Sequence, residues 1–244
     1  MHQWQGKIAV VTGASAGIGL AICKRFVQEG LVVVGLARSA VLFLTVLLPE
    51  DAIPSSLRKF YAVQCDVSNE QSVANAFQWI KKNLGVPQIL INNAGIATTG
   101  KIHEWEKIFN VNVMGLLECS RQAIQMLKQA DVEGYIVNVN SIAGHQVIDF
   151  GGLFWNVYSG TKYAVTGLTK SLQVELRDTK IRMTSISPGY VRSDINKDNS
   201  LSVDMSKLPI LEAEDIADAV TYIVGTPQRV QIHEMIIKPT GELL

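Results

Sequence analysis

Tyr158 and Lys162 stand four residues apart in Tyr158-Ser159-Gly160-Thr161-Lys162, and on a helix that spacing puts both side chains on one face. Free in water, a phenol titrates near ~10 and an ammonium near ~10.4, so neither exchanges protons usefully at neutral pH. Held together, the cation favours the phenolate and draws the phenol down toward working pH. Tyr158 could then act as a general acid or base, with Lys162 as its tuning charge. Alone, the pattern also fits a solvated amphipathic helix; its company argues for chemistry. Ser141 follows the strand-like run Val137-Asn138-Val139-Asn140, and Asn92-Asn93-Ala94-Gly95 follows another.

A third cluster is the loop Thr12-Gly13-Ala14-Ser15-Ala16-Gly17-Ile18-Gly19. Glycines between a first strand and a first helix let the backbone approach a pyrophosphate, and the helix N-terminus offers free N–H groups and a positive dipole. The alternative is a tight turn without a ligand. After the second strand, where an NAD-binding chain places a carboxylate for the ribose 2′-hydroxyl, the sequence reads Ala37-Arg38-Ser39. A carboxylate would repel a 2′-phosphate; an arginine fork accepts one. Arg38 and Ser39 therefore predict NADP(H), the alternative being a solvated charge and loose specificity.

These residues need a frame that brings the ends of several strands together. Ile8 to Thr12, Leu31 to Leu36, Phe60 to Gln64, Ile89 to Asn92, Tyr135 to Asn140, Ile181 to Ser187 and Glu234 to Ile237 read as strands. Between them, Ile18 to Gln28, Ser68 to Leu84, Glu104 to Ala130, Tyr158 to Arg177 and Ala213 to Val224 read as helices. Continuous apolar strands alternating with helices predict an α/β fold: a doubly wound parallel sheet of the Rossmann type, with helices on both faces. Ligands of such sheets bind beyond the carboxyl ends of the strands, just after Val11, Ile91, Val139 and Ile186.

The 244 residues, 48% of them hydrophobic, suffice for a large core. No linker-like stretch divides them, which predicts one domain over 1–244. Lys plus Arg equals Asp plus Glu, 22 each, so there is no electrostatic case for nucleic acid or an anionic membrane; a small-molecule partner is expected. Cys23, Cys65 and Cys119 are too few and too scattered for a disulfide framework and read as reduced core thiols. The start, Met1 to Lys7, lacks the pattern of a signal peptide, and no transmembrane segment is evident, which predicts a cytoplasmic protein. His2, His103 and His233 lack ligand spacing, so no metal site is expected, and His145 reads as a structural histidine. Phe150, Phe154 and Trp155, between Ser141 and Tyr158, line a substrate site or belong to the core. Tyr190 to Leu211, polar and serine-rich, reads as a lid. Ala40 to Leu48 is apolar but for Thr45 and too short to span a bilayer.

Taken in order, the glycine loop, Asn92 to Gly95, Ser141, the Tyr158–Lys162 pair and Pro188-Gly189-Tyr190-Val191-Arg192-Ser193 resemble the short-chain dehydrogenase/reductase superfamily over essentially the whole chain. The resemblance implies hydride transfer between a nicotinamide and a carbonyl or alcohol. It implies Tyr158 as general acid/base, Ser141 as a hydrogen-bonding partner of the substrate oxygen, and Lys162 on the nicotinamide ribose. Asn112 matches the family asparagine that helps hold a proton-relay water; Asn110 is its competitor, set aside because Val113 and Gly115 follow Asn112 in the family spacing. Asp66 and Val67 would lie at the adenine, Asn92, Ala94 and Gly95 along the cofactor, and Pro188, Gly189, Val191 and Ser193 by the nicotinamide. In the family the helices from about Glu104 and Tyr158 pair between subunits, implying a homodimer or homotetramer.

Trp4 to Val11 and Val230 to Thr240 resemble, more narrowly, the branch of dehydrogenase/reductase member 11 and insect farnesol dehydrogenase-like proteins. That implies NADP(H) and a lipophilic alcohol or carbonyl substrate. The stretch Ala40 to Leu57 departs from the branch, being apolar where those relatives are charged. A hydroxysteroid or ecdysteroid oxidoreductase is the alternative enzyme, and a non-catalytic NADP-binding sensor or scaffold the alternative of another class.

Overall fold

The computed structural model describes residues 1–39, 59–97, 104–147, 156–192 and 209–242. The segment Ala40 to Leu57, His103, Phe150, Phe154, Trp155, Ser193 and most of the expected lid lie outside the described residues. Seven strands form one parallel sheet: β1 Ile8–Thr12, β2 Val32–Ala37, β3 Phe60–Gln64, β4 Ile89–Asn92, β5 Gly134–Val139, β6 Ile181–Pro188 and β7 Glu234–Ile237. Their spatial order is β3-β2-β1-β4-β5-β6-β7. The chain runs outward from β1 in one direction and resumes at β4 on its other side, so β1 pairs with both β2 and β4. A crevice opens beyond the strand ends at such a reversal.

The apolar runs become strands buried on both faces, as helices covering a parallel sheet require. Every residue of β1, β4, β5 and β6 is buried. On one face, α1 (Gly17–Gln28) and α6 (Ala213–Gly225) contribute Ile22, Phe26, Ile216, Val220 and Val224 to the core. On the other, α2 (Glu70–Asn83), α4 (Leu116–Ala130) and α5 (Asn156–Glu175) pack Phe77, Ile80, Leu127 and Leu172, with Leu176 just past the end of α5, against Leu90, Ile136 and Met183. Local chemistry sets the helix starts: Asn69 Oδ1 accepts the Ser72 N–H at 2.9 Å, a cap worth ~1 kcal/mol.

The long helix expected from Glu104 to Ala130 differs in its middle. A short α3 (Trp105–Phe109) passes into a π-helical turn, Asn110–Gly115, before α4 begins. Two contacts account for the wider turn. A side chain at Gly115 would come within 2.8 Å of the Val67 carbonyl, and Asn112 is drawn inward to partners on two other segments. Such bulges recur at functional sites.

Candidate active site

The turn after β1 is held by the turn after β4. Thr12 Oγ1 accepts the N–H groups of Asn93 (3.0 Å) and Ala94 (2.9 Å), while Asn93 Nδ2 donates to the carbonyls of Thr12 (2.9 Å) and Gly13 (3.1 Å). Gly13 sits at φ 64°, and a Cβ there would lie 2.8 Å from Ala94 Cα. A Cβ at Gly19 would lie 2.4 Å from the Gly13 oxygen. The close approach of backbone to backbone leaves no room for a side chain at either position. Behind this turn α1 begins with Ala16 as its N-cap, and no side chain caps it. The first N–H groups of the helix are therefore open to an anion, with the dipole in favour. Ser15, Ala16, Gly17 and Ile18 line this mouth, all half-buried.

Arg38 and Ser39 follow β2 and are exposed. Asp66 follows β3, and its carboxyl is held below the usual range by the Ser68 hydroxyl and N–H, with the Arg38 guanidinium adding to them against the effect of partial burial. Asn92, expected along the cofactor, ends β4 with its side chain turned away from the glycine loop. Its amide is buried within the sheet and donates to Ser120 Oγ (2.8 Å) and Asn138 Oδ1 (2.9 Å). Asn138 in turn donates to Thr169 Oγ1 on α5 (2.9 Å). Ala94 and Gly95 are half-buried in the turn beyond β4.

Ser141 follows β5, where its Oγ accepts the Ala143 N–H at 3.1 Å and is hydrogen-bonded with the Tyr158 hydroxyl. Tyr158 and Lys162 share one face of α5, with the lysine Nζ 5.6 Å from the phenol ring centroid. Lys162 is buried, 7% exposed, and its Nζ donates to the Val139 carbonyl at 3.0 Å. Burial pushes the lysine down to about 8. Burial also pushes the Tyr158 phenol up, to about 12, against the opposing pull of the Ser141 hydrogen bond. The expectation that Lys162 draws the phenol down is thus not met by the protein alone. Loss of solvent acts on both groups, and each is displaced toward its neutral form.

Asn112 Oδ1 accepts the Ile96 N–H (2.8 Å), and its Nδ2 donates to the Ile96 carbonyl (2.9 Å) and Thr161 Oγ1 (3.1 Å). Thr161 Oγ1 also donates to the Tyr158 carbonyl at 2.7 Å. Asn112 therefore ties the π-helical turn to the turn of α5 that carries the phenol and the ammonium. Asn110 is only half-buried and makes no such junction. At the end of β6, Pro188 and Gly189 turn against Pro239 and Glu242, and Val191 bridges to Leu211. His145 Nε2 lies 2.9 Å from Ser187 Oγ and 3.1 Å from Glu234 Oε1, fastening the Ser141 turn to β6 and β7.

Thr12, Asn93 and Thr161 were not singled out in the sequence, though they hold the loop and the helix turn in place. For Asn93 the signal was present: the second asparagine of Asn92-Asn93 falls just past the strand, where its side chain turns to the neighbouring loop.

The model of the family described as short chain dehydrogenase matches residues 7–203. The chain is 44% identical to a farnesol dehydrogenase of Aedes aegypti over 252 residues, covering 99% of each chain. It is 38% identical to dehydrogenase/reductase SDR family member 11 of Homo sapiens, over 100% of this chain and 98% of the relative. Among solved structures, a 3-ketoacyl-(acyl-carrier-protein) reductase from Brucella melitensis complexed with NADH superposes with a TM-score of 0.83 at 26% identity, covering 96% of this chain and 98% of that one. Fold, site and relatives agree: the chain belongs to the short chain dehydrogenase family of oxidoreductases.

Proposed function

We propose that this protein is an NADP(H)-dependent oxidoreductase, one domain over 1–244, that interconverts a carbonyl and an alcohol on a lipophilic substrate. The observation that carries the reading is the meeting of half-buried Tyr158 and Ser141 with buried Lys162 at the end of β5, beyond the same sheet edge as the open N-terminus of α1.

The cradle fits a dinucleotide. Gly13 and Gly19 leave the backbone bare where a side chain would clash; Ser15 to Ile18 would meet the pyrophosphate, Asp66 and Val67 the adenine, and Ala94 and Gly95 the middle of the cofactor. Asn92 serves through the backbone it anchors. Pro188, Gly189, Val191 and Ser193 would border the nicotinamide, whose chemistry when bound is to give or accept a hydride. Lys162, a buried cation whose one acceptor among the described residues is the Val139 carbonyl, would take ribose hydroxyls as further acceptors. Arg38 would pair with a 2′-phosphate, and its exposed position near Asp66 supports NADP(H) over NAD(H).

The substrate oxygen would sit between the Ser141 and Tyr158 hydroxyls. Both would donate to it as negative charge develops in reduction, and Tyr158 would then pass its proton to that oxygen. Asn112 keeps the helix turn beneath the pair in place. The farnesol dehydrogenase relative supports an isoprenoid-like alcohol or aldehyde as substrate.

Exposed Trp105, Phe109, Met114 and Tyr163 on α3, the π turn and α5 support a homo-oligomer. Three free, buried thiols are in keeping with the cytoplasm. Among the described residues no helix is long and apolar enough to cross a membrane. Reduction of farnesal by NADPH, followed by loss of cofactor absorbance, tests the reading. Tyr158→Phe should lower turnover ~10²–10⁴-fold with cofactor binding intact, and near-normal turnover by that variant would overturn it.

A further inference from the structure

A cavity of about 540 Å³ lies along α5 from Thr166 to Val174 and past the end of that helix to Arg177, walled on its far side by Ser185 of β6 and by Gln231, His233 and Glu234. Its volume falls within the ~300–1,000 Å³ of small-ligand pockets. It occupies the part of α5 beyond Lys162, away from the helix end that carries Tyr158.

Three features of the wall point to a ligand. Ser185 is 2% exposed, and its Oγ has no hydrogen-bond partner among the described residues, although a buried unpaired hydroxyl costs ~1–3 kcal/mol. Lys170 on α5 and Arg177 in the turn just past its end, seven residues apart, both line the cavity, and neither is paired with a carboxylate among the described residues. Gln173 is already committed, its Nε2 donating to the carbonyls of Met183 and His233, both at 2.9 Å, so the floor between the cations is fixed in advance. Glu234 supplies the one carboxylate among the lining residues, and its Oε1 lies 3.1 Å from His145.

We propose that this cavity is a second ligand site, taking a small di- or tricarboxylate whose acid groups pair with Lys170 and Arg177 and whose middle hydrogen-bonds Ser185 Oγ. Two cations seven residues apart, one on the last turns of α5 and one just past its end, match a molecule with separated acid groups better than a single anionic head. An arginine fork suits a carboxylate in particular. The same wall is the back of the Ser141 turn: Thr166 Oγ1 lies 3.0 Å from the Gly144 carbonyl and accepts from Asn140 Nδ2 at 2.8 Å.

The test is citrate titration at constant pH and ionic strength, with and without NADPH, read from the imidazole proton resonance of His233. That resonance is identified by its loss in His233→Gln. A saturable shift is expected, with the same affinity in both series. Binding should weaken at least tenfold in Lys170→Ala/Arg177→Ala, both exposed positions. It should weaken at least threefold in Ser185→Ala, which should unfold no earlier than the natural protein because the hydroxyl it removes has no partner among the described residues. A non-saturating shift, equal binding by the variants, displacement by NADPH, or inorganic phosphate binding as well as citrate would each overturn the proposal. Failure of NADPH itself to bind would count against the proposed function and leave this test readable.

Discussion

Lys162→Met should make the protein's stability respond differently to pH, and the response can be worked from the burial of one amine. The lysine is 7% exposed, its Nζ hydrogen-bonds one carbonyl, and burial moves it from its ordinary 10.5 to about 8. At ~1.4 kcal/mol per pH unit, that displacement opposes folding by roughly 3 kcal/mol wherever both states hold the proton, below about pH 8. Between about 8 and 10.5 the unfolded chain keeps a proton that the folded one has released, so this contribution rises with pH and the penalty is relieved. Methionine has similar length and no charge. It abolishes the penalty but leaves the Val139 carbonyl without its donor, a loss of ~1–3 kcal/mol. At pH 7 the variant should therefore be up to ~2 kcal/mol more stable, and by pH 10.5 less stable by ~1–3 kcal/mol. Near neutrality that gain is worth several degrees in Tm, at ~2–4 °C per kcal/mol for a chain of this size. Urea unfolding of both proteins at intervals from pH 7 to 10 gives the difference, which is the proper readout. Cys23, Cys65, Cys119 and Tyr158 are all pushed up by burial and lower the stability of both proteins in alkali, so their effects cancel. A difference that stays constant with pH, or a natural protein that gains on the variant toward neutrality, would refute the reasoning.

Arg38→Ala should raise the KM for NADPH at least tenfold while leaving that for NADH nearly unchanged; equal losses with both cofactors would remove the case for a 2′-phosphate contact. Gly13→Ala forces a side chain into φ 64° and to within 2.8 Å of Ala94 Cα. It should cost ~1–3 kcal/mol in chemical denaturation and weaken cofactor binding in a fluorescence titration. With the phenol pushed up to about 12 in the cofactor-free protein, the phenolate absorbance lost in Tyr158→Phe should not appear below pH 10 when no cofactor is present, and a Tyr158 phenolate formed by pH 8 would contradict the direction of that displacement.

Much of the frame was legible because a parallel sheet buried on both faces leaves a plain trace. Ile8–Thr12, Phe60–Gln64, Ile89–Asn92 and Glu234–Ile237 fall where the apolar runs fall, and the other strands differ by a residue or two at their ends. Less legible was anything decided by contact between distant segments. The π turn at Asn110–Gly115 depends on how close Gly115 comes to Val67 and on what Asn112 meets at Ile96 and Thr161, none of which helical periodicity encodes. Asn92 and Asn93 look equivalent in sequence; the last residue of β4 points one into the sheet toward Ser120 and Asn138, and the next points toward the glycine loop. The upward displacement of Tyr158 in the cofactor-free protein was illegible for the same reason. Spacing reveals the neighbouring charge, but burial depends on the assembled fold.

That displacement has a functional sense of its own. A phenol held near 12 beside an amine held near 8 leaves the pair, at neutral pH, with the tyrosine proton in place and the lysine only partly committed to its charge. A protonated phenol already hydrogen-bonded to Ser141 is the form that can donate to a carbonyl oxygen. The reverse reaction needs the phenolate, which the isolated protein disfavours by about five pH units, or ~7 kcal/mol. Acceptors for the Lys162 ammonium would stabilise its charge and with it the phenolate 5.6 Å away. The positive ring of an oxidised nicotinamide would add to that attraction, whereas a reduced, neutral ring would not. If the proposed function holds, the pair would favour proton donation with the reduced cofactor bound and proton acceptance with the oxidised one, so that one set of side chains would serve both directions without a second acid or base.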